Sequence, residues 1–129
     1  MNRAVLNGRE LDVATAFDGT RLAVSGLEPY NELLVEADCR YMNTGEGLHR
    51  FVDPVDSETY LYTQFEPADA RRVYACFEQP DLKGHVQLTV TAPAHWTVVS
   101  NAASPEPVSA GHGIARWEFA PTERVSTYI

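Results

Sequence analysis

Cysteine is scarce in this sequence: Cys39 and Cys76 are the only two among 129 residues. Two thiols cannot build a disulfide framework, and their spacing matches no zinc ribbon. Basic charge is also short, with ten Lys and Arg against eighteen Asp and Glu, a net charge of −8. Nucleic acid and anionic membrane both reward basic surfaces, so neither is expected as a partner. No apolar run approaches the roughly 18 residues of a membrane span. None of Asn2, Asn7, Asn31, Asn43 and Asn101 opens an N-x-Ser/Thr sequon. Residues 1–12 alternate polar and apolar, with Arg3, Arg9, Glu10 and Asp12, so they do not read as a signal peptide. A reduced, cytoplasmic setting is the expectation.

Catalytic signatures are missing too. The four histidines, His49, His85, His95 and His112, include no i, i+4 pair of the helical zinc kind. There is no Ser-His-Asp arrangement, no H-E-x-x-H and no phosphate cradle. "NTGEGLH" has two glycines but lacks the Lys and the helix such a cradle needs, and it reads as a loop. Cys39 reads as a small core residue on a strand face. Cys76 follows a short helix instead of opening one, so nothing activates its thiol. In "ADARR", Asp69 with Arg71 or Arg72 is either an anion site or, more commonly, an ion pair of little energetic weight.

What remains is ordinary globular composition, 44% hydrophobic and 22% charged, at a length that makes one domain. Nearly all of it reads as strand and turn. "LNGRELD" places Asn7-Gly8 between apolar runs, a hairpin signal of type I′ because both residues tolerate positive φ. "FDGTRLAV" repeats the device with Asp18-Gly19. "NELLVEADCRYM" is the longest strand candidate, Val35, Ala37, Cys39 and Tyr41 facing one way and Glu36, Asp38 and Arg40 the other. "FVDPVDSETYLYTQFE" predicts strand, polar turn over 53–57, and strand again. "HVQLTVTAP", "WTVVSN", "GIARWEFAP" and "RVSTYI" add short strands, with Gly111-His112-Gly113 as a turn. Only residues 68–76 look helical, after a proline suited to a helix start. An antiparallel all-β domain over 1–129 follows.

The strand over 61–66 carries the sharpest question. Period two sends Leu61, Thr63 and Phe65 to one face and Tyr60, Tyr62, Gln64 and Glu66 to the other. An amide and a carboxylate then stand side by side at a strand end, where a site is rigidly held. From residue types alone Gln64 and Glu66 read as the solvated face of an antiparallel strand.

Four stretches bear on that reading: "TGEGLHRFVDP", "YLYTQFEPADARRVYACFEQPDLK", "VTAPAHWTVVSN" and "ERVSTYI". In order and wording they closely resemble the N-terminal domain of the aminopeptidase N family, zinc metallo-aminopeptidases of the gluzincin, alanyl aminopeptidase type, in its bacterial cytoplasmic branch. One departure is visible: after "PDLK" the family usually has alanine and an aromatic, where this chain has Gly84-His85.

The resemblance implies a saddle-like β-sandwich that packs on a catalytic domain of the same chain. That domain would hold the zinc helix and a G-A-M-E-N substrate loop, neither of which occurs here. The sequence is therefore expected to be a piece of a longer enzyme, binding no zinc and inactive alone. By the same resemblance Glu66 receives the α-ammonium of a peptide substrate and Gln64 lines the pocket for its first side chain. A stand-alone sandwich binding peptide or carbohydrate is the competing reading.

Overall fold

Asn7 and Gly8 turn the chain as their residue types require, with φ of 51° and 78°, the double positive that a type I′ hairpin demands. In this computed structural model, which describes residues 1–129, the turn joins β1 (Arg3–Leu6) to β2 (Arg9–Glu10). β3 (Leu33–Glu36) pairs with the other edge of β1, in the order β2-β1-β3. A four-residue helix, α1 (Val13–Ala16), follows β2, with the Asp12 carboxylate accepting from the Ala14 N–H at its start. β4 (Gly47–Val52) and β5 (Thr59–Gln64) form a separate antiparallel hairpin. The third sheet, in the order β6-β8-β7, consists of β6 (Thr89–Pro93), β7 (Val108–Gly111) and β8 (Ile114–Glu118). Every strand pair is antiparallel, and the all-β class expected from the sequence is what the chain has. No helix is long and apolar enough to cross a membrane.

Contacts divide the chain into two units, one of Met1–Gln64 with Asp69–Cys76, the other of Phe65–Ala68 with Phe77–Ile129. In the first unit β1 is the central strand and buries Ala4 and Leu6. On its other face Arg3 reaches both neighbours, donating to Glu10 at 2.6 Å and to Glu36 at 3.2 Å. In the second unit the register sets Val90 opposite Trp117 and Ala92 opposite Ala115. Ala92, Ala115, Trp117 and Phe119 form the core there, with Trp96 and Val98 packed against it. Gly84 and Val125 exchange both backbone hydrogen bonds, at 3.1 and 2.9 Å. The neighbouring His85 donates from Nδ1 to the Thr122 carbonyl at 2.7 Å, so the Gly84-His85 departure is accommodated by a bridge and a polar tether.

Several expectations need correction. The strand read over 32–42 stops at Glu36, and Cys39 is exposed, its thiol 3.9 Å from the Val73 carbonyl, instead of facing a core. Alternation in sequence continues over 37–41 with no neighbouring strand paired to it, and pairing resumes only at Met42, which bridges His49 of β4 in parallel. The helix read over 68–76 is a three-residue 3-10 turn, Ala70–Arg72, and Pro67 lies ahead of it rather than at its first position. "WTVVSN" and "RVSTYI" form no strand, while α1 and β7, unread in the sequence, are present. Propensity proposes such elements, and pairing partners decide them.

Candidate functional site

The β4–β5 hairpin is the frame on which the candidate residues sit. Its register pairs Phe51 with Tyr60, His49 with Tyr62 and Gly47 with Gln64, so these six residues share one face. That face is wet, with Phe51, Tyr60 and Tyr62 each about half exposed, at 46%, 49% and 50%.

Both tyrosines are engaged. Tyr60 donates its phenol proton to Asp56 Oδ2 at 2.7 Å. This bond holds the Tyr60 phenol above its ordinary value. The Asp56 carboxyl is held below its own, first by the Glu58 N–H and then by Tyr60. The Tyr62 ring lies 4.8 Å from the imidazole of His49, with planes inclined at 30°. His49 Nδ1 accepts from the Gly45 N–H at 2.9 Å, which leaves the ring proton on Nε2.

Gln64 is the last residue of β5 and is exposed. Glu66 is exposed as well, but it lies beyond the strand, ahead of a cis Glu66–Pro67 bond. The sequence reading carried β5 through to Glu66, so strand alternation places Gln64 with the tyrosines and says nothing about Glu66. Phe65, read on the face opposite Gln64, is half-buried.

Within "ADARR", Arg72 donates from Nε to Asp69 Oδ1 at 2.6 Å and from Nη2 to Glu46 Oε2 at 3.1 Å. The Arg72 guanidinium is thereby held above its ordinary pKa, chiefly by the Asp69 hydrogen bond. Its aliphatic stem covers Gly47, a buried residue at φ +63°, where an added Cβ would lie 3.0 Å from Arg72 Cβ. Sequence reading saw "NTGEGLH" only as a loop. The signal it passed over was a glycine opening a strand, which marks close approach of another part of the chain.

No three His, Cys, Asp or Glu side chains gather where a metal ion could sit. The residues present do not fit a zinc centre.

Comparison with known proteins places the chain. The Peptidase M1 N-terminal domain family matches residues 29–129. The chain is similar to Aminopeptidase N of Streptomyces lividans, 56% identical over all of this chain and 15% of that protein. It is 39% identical to Aminopeptidase N of Acetobacter pasteurianus over 57% of this chain and 21% of that one. Against Probable aminopeptidase 1 of Sulfurisphaera tokodaii the identity is 32%, over 78% of this chain and 13% of that protein. The chain thus spans between about an eighth and a fifth of these relatives' length. It belongs to the Peptidase M1 N-terminal domain family.

Proposed function

We propose that this chain works as the N-terminal β domain of a cytoplasmic zinc aminopeptidase that removes amino-terminal residues from peptides. The observation that carries the reading is the family match over 29–129, in a chain that spans 15% of a relative called Aminopeptidase N. Zinc is held by residues outside this chain, where it would activate the attacking water, and the chain alone is without turnover. Its task is to pack on the catalytic domain and complete the substrate site.

Within that site Glu66 receives the substrate's α-ammonium. A carboxylate meets an ammonium by a charge-assisted hydrogen bond, and only a free amino terminus offers that charge. This is what separates an aminopeptidase from an enzyme that cuts internal bonds. Gln64 contributes a neutral amide to the pocket for the first side chain. Exposure of both residues supports these roles.

The test is Glu66→Gln in the full-length enzyme, assayed on peptides. The substitution keeps the shape and removes the charge. A hydrogen bond to a charged group is worth roughly 1.5–3 kcal/mol. At about 1.4 kcal/mol per decade, kcat/KM should fall on the order of ten- to a hundredfold. Unchanged turnover would sink the assignment.

A further inference from the structure

Of the asparagines in the chain only Asn7 is followed by glycine. That pair reacts in water. The glycine backbone nitrogen loses its proton and attacks the side-chain amide carbon. A carbon–nitrogen bond closes a succinimide ring, and the side-chain nitrogen leaves as ammonia. Water then opens the ring to aspartate or isoaspartate. Glycine favours the attack because no Cβ shields its nitrogen and its dihedrals are free. Asn7 and Gly8 are both exposed, so water reaches them.

Within the first unit this amide is held. Asn7 Oδ1 accepts the Glu32 N–H at 2.8 Å, and Nδ2 donates to Asn31 Oδ1 at 3.0 Å. The Asn7 backbone N–H donates to the Glu32 carbonyl at 2.9 Å. Asn31 is pinned in its turn. Its Oδ1 also accepts the Glu28 N–H at 2.9 Å, and its Nδ2 donates to the Glu28 carbonyl at 2.6 Å. The tip of the β1–β2 hairpin is thus fastened to the residues that lead into β3. Ring closure needs the Asn7 side chain folded back onto its own peptide bond, and both side-chain hydrogen bonds must break first.

We propose that Asn7 is a deamidation site that the fold keeps closed, and that its conversion unfastens the β1–β2 turn from β3. Once deamidated, the side chain has no N–H to give and sets a carboxylate oxygen against Asn31 Oδ1. Asn31 cannot answer by turning its amide over, because Glu28 holds both of its ends. The isoaspartate product does more, since it inserts the Cβ into the main chain of a two-residue turn whose length sets the register. The reaction therefore runs in molecules where the entry to β3 has opened, and its product keeps that entry open.

The full-length protein is incubated at mildly alkaline pH, folded or unfolded in urea, and digested with trypsin. Mass spectrometry of the peptide Ala4–Arg9 then reads the conversion. The folded protein should convert at least about tenfold more slowly than the unfolded chain, because the fastening must open first. Asn31→Ala removes the acceptor of the Asn7 side-chain N–H. It should speed conversion of the folded protein about two- to tenfold and leave the unfolded rate unchanged. Asn7→Asp should unfold at lower urea than the parent. Equal rates in folded and unfolded protein, no conversion in the unfolded chain, or no effect of Asn31→Ala would overturn the closed site. An Asn7→Asp protein as resistant to urea as the parent would overturn the unfastening. If Asn31→Ala fails to fold, the comparison of folded with unfolded parent protein decides the first point without a variant.

Discussion

His49 lies across the hairpin from Tyr62, ring centroids 4.8 Å apart, while its Nδ1 accepts the Gly45 N–H at 2.9 Å. One imidazole thus joins a cross-strand aromatic contact to the loop that precedes β4. The two contributions can be separated. His49→Phe keeps a ring against Tyr62 but leaves the Gly45 N–H without its acceptor, an expected cost of about 0.5–1.5 kcal/mol. His49→Ala loses the ring contact too, which adds about 0.5–1.5 kcal/mol for the aromatic pair. Urea unfolding of the two variants checks this, with His49→Ala expected to be the less stable.

Gly47→Ala meets two obstacles. The backbone φ of +63° costs an L-residue about 1–2 kcal/mol. The new methyl would also stand 3.0 Å from Arg72 Cβ, an atom close to the backbone that cannot swing aside. A loss of at least about 1–2 kcal/mol is expected. Gly45→Ala serves as the control: φ is +90°, but the nearest atom is the Tyr62 hydroxyl at 3.7 Å, an ordinary contact. Denaturant midpoints should order the two, Gly47→Ala falling further.

Asp56 and Tyr60 set limits at opposite ends of the pH scale. The Asp56 carboxyl is depressed below 3.8, so its contribution is present above that value and lost as pH falls through the lower folded pKa. The Tyr60 phenol is raised above 10.0, so its contribution is present below that value and lost as pH rises through the higher folded pKa. Ultraviolet titration should show the Tyr60 phenol ionising late. Asp56→Ala should bring that phenol back toward 10.0, and Tyr60→Phe should remove it from the curve.

Phe119 is 2% exposed in the core of the second unit. Phe119→Ala opens a cavity and is expected to cost about 3–5 kcal/mol. Phe65 is only half-buried, so Phe65→Ala should cost less, about 1–2 kcal/mol, in proportion to the apolar surface it withdraws from water. Calorimetry of the two variants gives the comparison. Equal losses would mean that Phe65 is closed off more fully than its exposure indicates.

What the sequence determined by itself was whatever depends on neighbours along the chain. Asn7-Gly8 makes its turn wherever it stands, because the positive φ of 51° and 78° is a local preference of those two residues. The alternation over Tyr60, Tyr62 and Gln64 likewise held, since a strand sends every second side chain the same way. The family wording from "TGEGLH" to "ERVSTYI" needed no structure at all. Tertiary structure alone decided where strands stop. β3 ends at Glu36 and β5 at Gln64 although the alternating pattern runs on past both, because a strand persists only where another strand takes up its hydrogen bonds. It also decided with which glutamate Arg72 pairs. Arg72 and Glu46 are 26 positions apart, and only the return of the chain onto Gly47, which has no side chain to prevent it, brings their charges to 3.1 Å.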